Sequence, residues 1–264
     1  MTPKPARHRP RKRFGQNFLR DDAVINRIVS AIHPQAEQYL VEIGPGQGAL
    51  TEPLSNSGCR LDVIELDRDL VPGLLAAHSL NPRFTLHNVD ALNFAFTTLA
   101  QSGERLRIVG NLPYNISTPL IFHLLDSAEI IEDMHFMLQL EVVNRLAAQP
   151  GSKHWGRLGI MAQFRCEVEA LFEVPPGAFQ PPPKVQSAVV RLAPHTNHPW
   201  PDCDREKLAR VVKAAFAQRR KTLRNNLKGL IDDGTLGELG IDPGCRAETL
   251  GITDFVAIAK AINE

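Results

Sequence analysis

The stretch "YLVEIGPGQGALTEPLSNSG", Tyr39 to Gly58, decides the fold. It begins with a short apolar run that reads as a buried strand. Gly44, Gly46 and Gly48 follow directly, and the residues after them take helical spacing. A glycine loop between a strand and a helix lets the backbone turn tightly and approach a ligand closely. Placed after the first strand of a doubly wound sheet, such a loop lies where these sheets bind ligands, at the carboxyl ends of their strands. The pattern is neither the dinucleotide G-x-G-x-x-G nor a phosphate-cradling loop, since no lysine follows the glycines.

Outward from this stretch, strands and helices alternate. "RLDVIELD" (60–67), "RFTLHNVD" (83–90), "RLRIVGN" (105–111) and "DMHFMLQ" (133–139) read as strands. "RDLVPGLLAAH", awkward for its Pro72, reads as a helix, as do "STPLIFHLLDS", "EVVNRLAAQ" and "GRLGIMAQF". The alternation predicts a mostly parallel α/β sheet with helices on both faces. "CEVEALFEV" and "SAVVRLAP" are strands joined by a Pro-rich loop with no helix, which predicts an antiparallel strand at that end. After about residue 202 the strand signal stops and "REKLARVVKAAFAQRRKTLRNNLKGL" is helical. Three parts are therefore expected: a flexible basic segment (1–13), an α/β domain (14–200) and a small all-α domain (201–264).

The chain has 264 residues, 43% hydrophobic and 22% charged, with a net charge of +1, an ordinary globular balance. Charge is nonetheless local. Lys4, Arg7, Arg9, Arg11, Lys12, Arg13 and Arg20 open the chain without an acid among them, and Arg219, Arg220, Lys221, Arg224 and Lys228 form a second run. Such clusters point to a polyanion met at particular faces. Four scattered cysteines with no CxxC pair suit free thiols in a reducing compartment. His195, His198 and Cys203 lack a fourth ligand at metal-site spacing, so no metal is expected. No membrane span and no secretory pattern is visible, and a cytoplasmic protein with no membrane partner is expected.

Three polar residues end successive strands. Glu65 closes "VIE", about twenty residues after the glycines, where a carboxylate can accept from both ribose hydroxyls. Asp90 closes "NVD", where it could accept from an adenine amino group, and Asn111 closes "IVGN". Glu42, just before the glycines, would favour a nearby positive charge. An adenosine cofactor with a sulfonium and no diphosphate, S-adenosylmethionine, fits this set better than a nicotinamide. In "GNLPY" (110–114) the Asn111 carboxamide oxygen and the Leu112 carbonyl could accept both hydrogens of an adenine amino group and aim its lone pair at a methyl donor. Pro113 would stiffen the turn and Tyr114 would stack on the base. Phe179, in "AFQPPP", is either the opposite wall of that pocket or a hydrophobic plug.

"RKRFGQNFL", "VEIGPGQGALT", "VIELDRDL", "GNLPYNISTPL", "EVVNRL", "FQPPPKVQSAVVRL" and "FAQRRKTLRNNL" occur in order over roughly residues 11–262. Together they resemble the bacterial ribosomal small-subunit RNA adenine dimethyltransferases. The resemblance implies a Rossmann-like class I methyltransferase sheet with a small all-α domain contributing to RNA binding. It implies transfer of two methyls from S-adenosylmethionine to each of two adjacent adenosines near the 3′ end of 16S ribosomal RNA in the small ribosomal subunit, late in its assembly. Family cofactor contacts map onto Asn17, Leu19, Gly44, Glu65, Asp90 and Asn111, and target-base residues onto Asn111, Leu112, Tyr114 and Phe179. Leu140 stands where the family often has lysine, which touches an RNA contact and not the chemistry. Nothing suggests an obligate dimer, so a monomer is expected. The alternatives are a large-subunit adenine methyltransferase of the erythromycin-resistance type, a DNA adenine methylase, and a non-catalytic assembly or nucleic-acid-binding factor on the same fold.

Overall fold

A computed structural model describes residues 16–100 and 103–262. The expected flexible segment 1–13 lies outside these residues. In chain order the elements are β1 (Phe18–Leu19), α1 (Asp22–Ile32), β2 (Tyr39–Ile43), α2 (Thr51–Asn56), β3 (Arg60–Ile64), α3 (Val71–Ala77), β4 (Phe84–His87), β5 (Leu106–Asn111), α4 (Ser117–Leu125), β6 (Ile131–Gln139), α5 (Leu140–Leu146), α6 (Arg157–Arg165), β7 (Cys166–Val174), β8 (Phe179–Gln180) and β9 (Ser187–Pro194). Then come α7 (Arg205–Ala215), α8 (Leu223–Asn226), α9 (Asp233–Glu238) and α10 (Ile252–Ala261).

Seven strands form one sheet in the order β4-β3-β2-β5-β6-β9-β7. β2 pairs in parallel with both β3 and β5, β3 with β4, and β5 with β6, while β9 runs antiparallel to β6. The expected mostly parallel sheet with an antiparallel strand is thus present. β2 is buried along its whole length, as a central parallel strand must be. Gly110 shows how closely the strand ends approach: a Cβ there would sit 2.5 Å from the Ile43 carbonyl oxygen. The glycine before Asn111 is therefore a steric requirement of the β2–β5 seam. Toward the other end of the sheet, Arg107 makes two bonds to Asp133, at 2.8 and 3.0 Å, a buried fork-to-carboxylate pair.

The chain divides into two compact units. One runs to Val143 and resumes over Glu169–Pro194; the other takes Asn144–Val168 and the chain from His195 onward. The boundary expected at 200 thus lies at 194/195, and a second stretch, 144–168, joins the helical unit. Trp155 shows the reason: its indole N–H donates to the Leu250 carbonyl at 2.8 Å, tying that stretch to the helices after residue 200. α7 starts at Asp204, whose carboxylate accepts from the N–H groups of Glu206 and Lys207.

Two local expectations are corrected, and a third residue is located. Pro72 sits in the first turn of α3, where a missing N–H costs nothing, so it starts the helix rather than disturbing it. The third strand ends at His87, and Asp90 caps a short 3₁₀ turn, Ala91–Asn93, through its bond from the Leu92 N–H. Phe179 is only 4% exposed and packs in a hydrophobic cluster with Leu19, Ile28, Met137 and Val189. Its ring packs in the core cluster and is not among the residues that line the cleft, and its backbone pairs with Leu19 between β8 and β1. Phe179→Ala should cost about 3–5 kcal/mol of stability in denaturant unfolding. A cost below about 1 kcal/mol would place the ring outside the core.

Candidate cofactor and base site

A cleft of ≈ 1120 Å³, counted to its open mouth, lies at the carboxyl ends of the central strands. Asn17, Leu19, Gly44, Glu65, Asp90, Asn111, Leu112 and Tyr114 all line it, so eight of the nine sequence-selected residues meet in one place. Phe179 is the exception.

The floor is the glycine loop. Gly44, Gly46 and Gly48 all have positive φ, a region that side chains disfavour. Gly46 is doubly constrained, because a Cβ there would press on the Phe18 ring at 3.1 Å. Its N–H donates to Glu65 Oε2 at 3.2 Å, and the Asp67 N–H donates to Glu65 Oε1 at 2.7 Å. Glu65 is therefore held from both sides, one bond per oxygen, with lone pairs left for a diol. Burial pushes its carboxyl above the usual range, and the backbone donors act in the opposite direction. Asp90 is anchored by the Leu92 N–H at 3.0 Å and by the Asn93 side-chain amide at 3.3 Å. Leu66 and Val89, beside Glu65 and Asp90, are exposed apolar residues that also line the cleft. They present apolar surface of the kind a purine ring covers. Their place next to the two acids is a signal the sequence already carried.

The base end of the cleft rests on Asn111. Its amide nitrogen donates to the Asn17 carbonyl at 3.1 Å. That bond decides which way the carboxamide faces: the N–H₂ is used against the chain, and Oδ1 is the acceptor left over. The Tyr114 hydroxyl and Ser187 Oγ are 2.9 Å apart, fixing the half-buried ring from β9. Ser187 was not selected from the sequence, and a lone serine at a strand start gives no reason to select it. The segment carrying Asn17 is itself held, by β1–β8 pairing, by the Gln16 amide on Asp67 at 2.9 Å, and by Arg20 on Gln47.

Charge defines what the cleft can hold. Glu42, Glu65 and Asp90 line it, and no lysine, arginine or histidine does so among the described residues. Glu42 Oε2 is buried without a partner. A diphosphate would meet repulsion here, whereas an adenosine carrying positive charge would be matched. The residues present thus fit S-adenosylmethionine. No group of three or more His, Cys, Asp or Glu side chains is placed to hold a metal among the described residues. His195 bonds the Gln163 carbonyl at 2.9 Å, and His198 the Trp200 carbonyl at 3.1 Å. No helix is long and apolar enough to cross a membrane among them.

Comparison with known proteins agrees with this geometry. The ribosomal RNA adenine dimethylase family matches residues 7–264. A ribosomal RNA small subunit methyltransferase A from Pseudomonas aeruginosa is 61% identical over 257 residues, covering 97% of this chain and 96% of that protein. One from Chromohalobacter salexigens is 56% identical over 268 residues, covering 100% and 95%. Among solved structures, a dimethyladenosine transferase from Plasmodium falciparum shares the fold with a TM-score of 0.77 at 22% identity, covering 91% of this chain and 95% of that one. The 23S rRNA methyltransferase ErmE shares it with a TM-score of 0.73 at 24% identity, covering 94% and 100%. With strand-end acids, glycine loop and Asn111 in one cleft and the family matched over nearly its whole length, the chain belongs to the ribosomal RNA adenine dimethylases.

Proposed function

We propose that this chain methylates the 6-amino groups of two adjacent adenosines near the 3′ end of 16S ribosomal RNA, twice each, in the small ribosomal subunit. The single observation that carries the chemistry is the bond from Asn111 to the Asn17 carbonyl, which leaves Oδ1 as an acceptor at the mouth of the cofactor cleft. An aromatic amine is a poor nucleophile because its lone pair is delocalised into the ring. Asn111 Oδ1 and the Leu112 carbonyl accept its two hydrogens, drawing the nitrogen toward tetrahedral geometry. Tyr114, anchored on Ser187, stacks on the extruded base, worth about 1–3 kcal/mol against the cost of unstacking it. Phe179 contributes from beneath, by holding β8 against β1.

S-adenosylmethionine supplies an electrophilic methyl on a sulfonium. Glu65 accepts its ribose hydroxyls, Asp90 its adenine amino group, and the Gly44–Gly48 backbone leaves room for it. Asn17 and Leu19 close the cleft from the other side. Catalysis then rests on alignment, for which a positioned pair can supply several kcal/mol, and needs no strong base.

For the RNA, the exposed run in the helical unit offers fewer free charges than the sequence count suggests. Arg219 bonds Glu248 and the Lys153 carbonyl, and Arg224 pairs with Asp233 at 2.5 Å. Arg220, Lys221 and Lys228 are exposed and have no acidic partner among the described residues. The preference for small-subunit over large-subunit RNA is supported by the names of the relatives at 56–61% identity.

The direct test is methyl transfer from labelled S-adenosylmethionine to unmethylated small subunits, with large-subunit RNA in parallel and mass mapping of the product. Dimethylated adjacent adenosines on the small subunit are expected. Label on large-subunit RNA, or binding without label, would overturn the reading. Replacing Arg220, Lys221 and Lys228 by glutamine should weaken RNA binding and reduce its salt slope by about 2–3, with cofactor affinity unchanged. An unchanged slope would make the run a solvated face.

A further inference from the structure

Among the described residues, Glu42 is the acid of the cleft that keeps a buried oxygen without a partner. It lies on β2 between Val63 of β3 and Val109 of β5, and is 2% exposed. Glu65 spends one bond per oxygen on backbone N–H groups, and Asp90 is bonded by the Leu92 N–H and the Asn93 amide. Glu42 Oε2 has no partner although it borders the cleft. The groups that face it are the Thr51 hydroxyl of α2 and the carboxylate of Glu65, and no cation lines the cleft among the described residues. A carboxylate buried with one oxygen unpartnered is costly when ionised. It becomes favourable when a positive charge enters the same space.

Resting on the cofactor reading above, we infer that Glu42 distinguishes the cationic methyl donor from its neutral demethylated product by losing a proton when the donor binds and keeping it when the product binds. S-adenosylmethionine and S-adenosylhomocysteine share ribose, adenine, amino and carboxylate groups. They differ by the methyl and by the charge on sulfur. The Glu42 O–H bond breaks, its proton passes to solvent, and the electron pair stays on the carboxylate facing the new cation. Once the methyl has left, sulfur is neutral, the carboxylate loses the counter-charge of the sulfonium, and it takes up a proton from solvent. The site thereby discriminates against its own product on charge, although the rest of the two ligands is alike.

The direction with pH follows. Burial first, and then the neighbouring Glu65 charge, push the Glu42 carboxyl up to about 7, with the Thr51 hydroxyl acting in the opposite direction. Below that value the free protein holds the proton and must release it to bind the donor. Above it, the carboxylate is already ionised. Donor affinity relative to product affinity should therefore rise about tenfold between pH 6 and pH 8 and then level off. The sulfonium lowers the α-amino titration in the donor alone, so each free ligand's own titration is measured and subtracted before the two are compared.

Calorimetry with each ligand, at pH 6, 7 and 8 in two buffers of different ionisation enthalpy, gives both dissociation constants and the proton count. Near pH 7, release of about half a proton more with S-adenosylmethionine than with S-adenosylhomocysteine is expected. Glu42→Gln, a neutral isostere of the protonated form, should abolish the extra proton and flatten the ratio. Glu65→Gln should weaken both ligands and move the slope to lower pH, because the Glu65 charge helps to raise the Glu42 carboxyl. Equal proton counts and a ratio constant from pH 6 to pH 8 in the unaltered protein would overturn the inference while leaving the cofactor site intact. Persistence of the slope in a folded Glu42→Gln protein would also overturn it. Failure of both ligands to bind at every pH would overturn the cofactor reading and the inference together.

Discussion

The Asn111 carboxamide can face two ways, and one backbone carbonyl decides between them. Asn17 accepts the Asn111 amide hydrogen at 3.1 Å, so the oxygen is left as an acceptor at the cleft. Much of the surrounding structure serves that bond. Gly110 allows β5 to run against Ile43 so that Asn111 emerges at the sheet edge. β1 must pair with β8, and Phe179 must stay in the core, for Asn17 to stand where it does. A two-residue strand is a weak element alone. Here it is held at both ends, by Gln16 on Asp67 and by Arg20 on Gln47, and the same contacts reach the cofactor loops. Donor site and acceptor site are thus parts of one hydrogen-bonded frame.

The second constraint is charge. A cleft lined, among the described residues, by three carboxylates and no cation repels a diphosphate and suits a ligand with positive charge. Holding Glu65 with backbone N–H groups, rather than with a lysine or arginine, keeps its geometry without adding a countercharge that would spoil that selectivity. Arg220, Lys221 and Lys228, exposed in the helical unit, are cations through which a polyanion can be met.

The features legible in the sequence are those with a period or a spacing. The buried strands show a period, and the glycine loop and the acids near strand ends show a spacing and a place in the alternation of elements. Asp90 lies beyond the end of its strand, and the 3₁₀ turn it caps still leaves it lining the cleft. β1 and β8 were not legible, because two residues cannot show alternation. The transfer of residues 144–168 to the helical unit was not legible either. It depends on Trp155 reaching a carbonyl 95 residues away, and no local pattern marks such a contact. Phe179 had two readings because an aromatic residue in a Pro-rich loop suits a binding wall and a core plug equally. Packing places the ring in the core cluster. Ser187 became meaningful only when the fold brought it to Tyr114.

The central claim is that Asn111 acts by presenting an acceptor to the target amino group. The most direct measurement compares single-turnover methyl transfer with cofactor dissociation in Asn111→Ala. The account predicts a rate loss on the order of 10²–10³, the scale of removing one preorganised hydrogen-bonding group from a reacting centre, with a far smaller change in cofactor affinity. Equal losses in rate and in cofactor affinity would contradict it and reduce Asn111 to a cofactor contact.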